Sequence, residues 1–420
     1  MLDPKIIRDD PEMARQALRN RGYDLGILER FIELDNRWRS LIDEGNRLKA
    51  EKNKCSLEIP KLPKEEKQKK IVEMRAIGDK VQQMEREQAG IEKERDDIVL
   101  NLPNVPHPSV PVGSSDNDDV IVRSGGQQRK FDFKPQTHWE IGERLDIIDF
   151  ERGTKIAGAG FYVLKGMGAR LERALINFML DLHIRQGYKE IFPTVVINDK
   201  ACYGTGQLPK MREYMYHIES DGLWLNPTAE VPVTNLHMDE ILTKEQLPIY
   251  YDAYLPSFRR EAGKHIETKG IARVHEFNKV ELVKFVMPET SEQELESLLS
   301  NAEEVVQHLG LPYRIKLLCT GNLGFASSKT YDIDAHSPGM DQWLECSSCS
   351  NFTDFQARRA RIKFRREEHL KSEFVHTLNG SGVALPRTMI SVLENFQMRD
   401  GSIEIPSVLH PYLGGKERIE

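Results

Sequence analysis

The stretch FRREAGKHIETKGIARVHEFNKVE, Phe258 to Glu281, concentrates groups that could do chemistry. Arg259 and Arg260 stand against Glu261, and after a basic, Gly-flanked loop the chain returns through Arg273 to Phe277 and Glu281. Planar guanidinium forks suit phosphate oxygens, and an aromatic behind them could stack a flat ring, so the set reads as a phosphate clamp. A solvated hairpin of mixed charge explains the same residues as simply. Cys346-x-x-Cys349 is half of a zinc motif, but no second close pair completes it. No phosphate-binding Gly-x-x-x-x-Gly-Lys-Ser/Thr loop is present, and Gly204 to Lys210 lacks that spacing. Choosing between clamp and hairpin requires the elements that hold these residues.

At 420 residues two domains are expected. A net charge of −7 argues against blanket electrostatic binding of nucleic acid, so any such contact needs a local basic patch. No run of about eighteen apolar residues suggests a membrane span. The N-terminus MLDPKIIRDDPEM lacks the apolar core of a secretory signal. Five scattered cysteines fit a reducing cytoplasm better than a disulfide framework.

Asp10-Pro11 and Gly22 read as the start and stop of a short opening helix. Beyond it Ile27, Phe31, Leu34, Trp38, Leu41, Gly45, Leu48, Lys52 and Cys55 alternate steps of four and three, a heptad seam. Pro60 and Pro63 break it, and Met74, Ile77, Val81, Met84, Gln88, Ile91, Arg95 and Ile98 form a second seam. Two seams around one break predict an antiparallel coiled-coil hairpin, with helices of roughly 30 residues and about 45 Å. Lysines cluster at its turn, Lys61, Lys64 and Lys67 among them, as a solubilising surface or a phosphate-backbone contact. The Pro-rich 102–119 stretch reads as an extended linker. The expected domains are thus 1–101, a linker 102–120, and 121–420. In the last, helix-like Ala169 to Gln186 alternates with β-rich Ile191 to Ile197 and Val274 to Val286. That pattern predicts an α+β body around a mostly antiparallel sheet flanked by helices.

Over essentially its full length the chain resembles the seryl-tRNA synthetases, which are class II aminoacyl-tRNA synthetases. GYKEIFPTVV (Gly187 to Val196), the stretch quoted above, and LNGSGVALPRTMISVLENFQ (Leu378 to Gln397) match the three class motifs. NPTAEVP (Asn226 to Pro232), WLECSSCSNFTDFQARR (Trp343 to Arg359) and the N-terminal arm match the seryl group. The resemblance implies that serine and ATP give seryl-adenylate and that the seryl group passes to tRNA(Ser), with tRNA(Sec) left open as a second acceptor. It also implies a homodimer through the segment ending at Pro193. A carboxylate with a pKa of about 3.5 needs no general base, so positioning and charge neutralisation must carry the reaction.

By the same resemblance Arg259 contacts the α-phosphate, Glu261 the adenine end, Phe277 the adenine face, and Arg387 the ring and γ-phosphate. Arg260, Val274, Cys346 and Ser347 complete the ATP set, and Arg273 is a further phosphate contact. Glu345, with Ser348 beside it, matches a holder of Mg2+. Thr228, Ala229, Glu230, Glu281, Asn379 and Ser381 form the serine set, and Lys61, Lys64 and Lys67 belong to a tRNA-binding arm. Arg260 stands where serine is usual, Cys346 replaces an aliphatic residue, and the loop Lys264 to Lys269 is short. Two rivals are a ligase that loads an amino acid onto a carrier protein and a non-catalytic RNA-binding module. The basic arm opposes the first, and the presence of Arg259, Glu345 and Arg387 opposes the second.

Overall fold

The computed structural model describes residues 1–261 and 269–420, so the short loop singled out above lies almost wholly outside the described residues. The chain divides into two compact units, Leu2–Pro103 and, with Met1, Asn104–Glu420.

The first unit opens with a helix that the sequence pattern does not announce, α1 (Pro4–Asp9), capped by the Asp3 carboxylate on Lys5 N. The expected helix follows as α2 (Pro11–Asn20), where the Asp10 side chain accepts from Met13 N. Gly22 ends the turn at φ +69°, a conformation glycine adopts without a Cβ clash. Then α3 (Gly26–Glu58) and α4 (Lys64–Val99) pack on one another, with 33 and 36 residues. At 1.5 Å per residue they are about 50 Å long. Phe31, Leu34, Leu41, Leu48 and Cys55 are buried on one side, and Met74, Val81 and Met84 on the other. Leu28 is buried where the pattern pointed to Ile27. Lys52 stays exposed at its seam position. A Cβ at Gly78 would come within 3.2 Å of its ammonium, so a glycine gives Lys52 room to pass.

The base of the hairpin holds a buried charge. Asp35, 2% exposed, accepts from Arg8 Nε at 2.6 Å and Nη2 at 2.7 Å, and from Arg95 at 3.4 Å. The Arg95 guanidinium lies 4.1 Å from the Trp38 ring centroid. A seam arginine is tolerated because it meets both a carboxylate and a π-face there.

The second unit is built on a sheet of eight strands among the described residues. In chain order these are β1 (Val120–Gly125), β2 (Lys189–Glu190), β3 (Ile249–Phe258), β4 (Glu276–Val286), β5 (Tyr313–Leu317), β6 (Lys329–Ser337), β7 (Gln342–Asn351) and β8 (His376–Ala384). Their spatial order is β1-β5-β6-β7-β8-β4-β3-β2, antiparallel throughout except the short β2–β3 pair. Four helices matter for the site: α5 (His138–Arg144), α6 (Gly166–Arg185), α7 (Ser291–His308) and α8 (Leu385–Asn395). Leucines and valines of α6, α7 and α8 pack on Val280, Leu282, Ile315 and Ile333 of the sheet in one core.

Two local expectations change. Ile191 to Ile197 is not one strand, because the chain leaves the sheet after Glu190 and forms a separate strand only at Val196–Asn198. Pro193, which has no N–H for a ladder, stands in that gap. The proline-rich segment after residue 103 is fastened to its own unit. Asn104 N donates to Phe325 O, its side-chain amide to Ala326 O and Phe352 O, and His107 N to Ser328 O.

Candidate active site

β3 and β4 form the antiparallel pair that holds the quoted stretch, with Phe277 opposite Ser257 and Glu281 opposite Ala253. Because strand side chains alternate, Phe277, Lys279 and Glu281 share one face. Arg259 leaves β3 with its N–H on His275 O at 2.9 Å, and its guanidinium sits 5.1 Å from the Phe277 centroid. Its Nε donates to Pro227 O at 3.3 Å, while its terminal nitrogens meet no protein acceptor among the described residues. That leaves the fork available for a ligand.

Two cavities meet here. The first is a narrow cleft between Ile271–Phe277 and Glu345, Cys346, Ser381 and Arg387. Arg387 spans it: Nη1 donates to Glu345 O at 2.7 Å and Nε to Ala272 O at 3.3 Å. The second, about 500 Å³, is bounded by Thr228, Glu230, Ser348, Asn379 and Phe325. Arg259, Glu261 and Lys279 line both. Glu261 holds φ +47°, strained for a residue with a Cβ, and lies 3.9 Å from Arg273 Nε.

The loop carrying Thr228 and Glu230 is stapled to the sheet by Asn226, whose side-chain amide donates to Pro256 O at 3.0 Å and whose backbone carbonyl accepts from Phe258 N. Beneath it lies a saturated carboxylate. Glu281 is fully buried and accepts from Thr228 Oγ1 and Asn379 Nδ2, both at 2.7 Å, with Lys279 Nζ at 2.6 Å. It lines neither cavity, so it orients Thr228 and Lys279 from below. Glu230 does face the larger cavity, held by Gln356 Nε2 at 2.6 Å. Burial raises its carboxyl to about 7, with the Glu281 charge adding to the shift and Gln356 opposing it.

Other sequence candidates fall unevenly. Val274 and Arg273 line the cleft. Ser347 faces neither cavity, because its hydroxyl donates to Ser381 O at 2.7 Å inside the sheet. Arg260 also lines neither; its N–H donates to Tyr214 O. Ala229 is fully buried as part of the helix entry. The Cys346 thiol is buried and donates to Ile333 O, and burial pushes it up, as it pushes Cys349 up to about 12. These are packed, protonated thiols.

Lys279 and Gln356 were not singled out from the sequence. Lys279 had a signal, since period two places it between Phe277 and Glu281 on one face. Gln356 had none, because its hydrogen bond to Glu230 spans 126 positions.

A site for a divalent cation can be tested on β6 and β7. Ser348 pairs with Asp332 and Glu345 with Asp334 across the two strands. The Asp332 carboxyl is pushed well up by burial and then by Glu345, and its Oδ1 is buried without a hydrogen-bond partner. Crowded carboxylates with an unsatisfied oxygen fit a cation. No group of three or more His, Cys, Asp and Glu side chains is arranged to hold a metal among the described residues.

Residues 214–396 match the tRNA synthetase class II core domain (G, H, P, S and T), and residues 1–106 match the seryl-tRNA synthetase N-terminal domain. The serine--tRNA ligase of Methanosarcina barkeri is 52% identical, over 100% of this chain and 99% of its own length. That of Geobacter sulfurreducens is 53% identical over 100% of both. The crystal structure of seryl-tRNA synthetase from Pyrococcus horikoshii complexed with ATP superposes with a TM-score of 0.97 at 37% identity, covering 100% of this chain and 99% of that one. The core-domain match, borne by the antiparallel sheet that carries the two cavities, and the full-length relatives make the chain a class II aminoacyl-tRNA synthetase. Within that class the chain belongs to the seryl-tRNA synthetase (serine--tRNA ligase) family.

Proposed function

We propose that the protein activates L-serine with ATP in the two joined cavities, giving seryl-adenylate and pyrophosphate, and transfers the seryl group to tRNA(Ser) with release of AMP. The observation that carries this reading is the shared wall: Arg259 and Lys279 border both the cleft and the larger cavity. Positive charge therefore stands where a carboxylate from one side would meet a phosphate from the other. The cleft takes the nucleotide, with Phe277 under the base and Arg387 swinging off Glu345 to admit it. The larger cavity takes serine, with Glu230 for the ammonium and Thr228 beside it. Arg259 holds the α-phosphate bidentately while its charge rearranges, and Lys279, whose charge Glu281 already balances, offers a further ammonium hydrogen to the approaching carboxylate. Glu345 and Ser348 would hold magnesium, which when bound neutralises phosphate charge and orients the triphosphate.

ATP–pyrophosphate exchange with each amino acid tests the reading. Serine is the expected substrate, and preference for threonine, glycine or proline would overturn it. Aminoacylation of tRNA(Ser) and tRNA(Sec) in parallel decides whether the second is also an acceptor.

Glu230 supplies a pH test. Its folded pKa lies above the usual carboxylate value, so its protonated fraction grows as pH falls through about 7. An ammonium ligand needs the ionised form. The serine KM is expected to approach a tenfold rise per pH unit below about 7 and to level off above it. A flat serine KM between pH 6 and 8 would remove Glu230 from this role.

Glu345→Ala is expected to shift the magnesium requirement of exchange to higher concentration; an unchanged titration counts against a metal role. A homodimer is also proposed, supported by Phe192 standing 79% exposed beside Pro193. Sedimentation at micromolar concentration should give twice the 48.3 kDa chain mass, and a monomer would contradict it. We place the protein in the cytoplasm, where ATP and tRNA meet and its five free cysteines stay reduced.

A further inference from the structure

His138 is the first residue of α5 and is wholly buried, as is Glu394 near the end of α8. Glu394 Oε1 accepts from His138 N at 2.8 Å and faces His138 Nδ1 at 2.9 Å. Its Oε2 accepts from Gly339 N at 2.8 Å, Met340 N at 3.2 Å and the Ser337 hydroxyl. The backbone and hydroxyl partners are donors, so the carboxylate acts as an acceptor and His138 Nδ1 carries the proton toward it. Nε2 is then left with a lone pair, and it accepts from Ile271 N at 3.1 Å. The approach is close: Gly270 holds φ +82°, and a Cβ there would lie 1.9 Å from Nε2.

Residues 269–275 lie outside any strand, so the buried Ile271 N–H has no ladder partner. The imidazole takes the place of one. Ile271 and Ala272 line the nucleotide cleft, and Ala272 O carries Arg387 Nε. On its other oxygen Glu394 holds the turn at Ser337–Met340 that joins β6 to β7, the strand of Glu345. We infer that His138, oriented by Glu394, is a positioning residue that sets the Ile271–Ala272 wall of the nucleotide cleft against the Glu345 hairpin. The inference rests on the reading of that cleft as the ATP site.

Two substitutions separate its ring nitrogens in the full-length protein. H138N keeps a donor near the Nδ1 position but loses the acceptor for Ile271; H138Q can keep an acceptor near Nε2. H138N is expected to raise the ATP KM of serine-dependent exchange about tenfold and leave the serine KM within twofold. H138Q should recover the ATP KM to within threefold of wild type. The inference is overturned by an H138N ATP KM within twofold of wild type, by parallel rises in both KM values, or by H138Q being as impaired as H138N. Should H138N fail to fold, H138Q alone decides: an ATP KM within threefold supports the role, and a larger rise overturns it. Absence of serine-dependent exchange in the wild-type protein would instead overturn the cleft assignment itself.

Discussion

Arg259→Ala is expected to slow serine-dependent pyrophosphate exchange by ~10²–10³-fold, about 2.7–4 kcal/mol of transition-state stabilisation. The reason is placement. Arg259 stands in the wall common to both cavities, its backbone pinned to His275 O and its guanidinium against the Phe277 face. Its terminal nitrogens meet no protein acceptor among the described residues, so a ligand phosphate can take both without first breaking an internal bond. Preorganised donors of this kind matter most where charge develops in the transition state. Arg259→Lys keeps the charge and loses the planar fork, so it should fall between alanine and wild type. Because the side chain is exposed, the thermal midpoint should move little in either variant. Exchange rates near wild type for the alanine variant would reduce Arg259 to surface charge.

Removing the arm should separate the two half-reactions. Replacing residues 41 to 88 with a short Gly/Ser linker leaves the base of the hairpin, where Asp35 meets Arg8 and Arg95 and where Trp38 lies against Arg95. Adenylation needs only small molecules and groups of the second unit, so pyrophosphate exchange should stay within about twofold. Serylation at subsaturating tRNA is expected to fall ~100-fold or more, about 2.8 kcal/mol at 1.4 kcal/mol per tenfold, mainly through a raised tRNA KM. Lys61, Lys64 and Lys67 are all exposed near the helix break, as binding to a phosphate backbone requires. Reversing their charge should flatten the salt dependence of tRNA binding, by a slope of roughly 0.7–0.9 for each phosphate that is no longer neutralised. Wild-type charging by the truncated protein would make the arm a solvated spacer and its lysines a solubilising surface.

The arm was legible because its information is local. A heptad repeat states which residues face a partner, and the buried Phe31, Leu34, Leu41, Leu48, Met74, Val81 and Met84 are those the steps of four and three select. Where the pattern weakened, at Lys52 and Arg95, only packing supplied the answer: a glycine opposite one, and a carboxylate with an indole face beside the other. The three class motifs were likewise readable as short strings, each holding its residue types at fixed spacing.

By itself, then, the sequence determined the helical hairpin, the α+β body and the short stretches from which the site is drawn. It could not determine which carboxylate lines the cavity. Glu230 and Glu281 look equivalent as residue types, yet one lines the cavity and the other is spent beneath it on Thr228, Asn379 and Lys279. The same holds for Ser347 and Ser348, neighbours on one strand whose alternation turns the first into the sheet and leaves the second at the cavity wall. Gln356 and His138 joined the site only through hydrogen bonds spanning 126 and 133 positions. Hydrogen bonds and burial act over a few ångströms irrespective of chain separation, so these roles exist only once the sheet has brought its strands together.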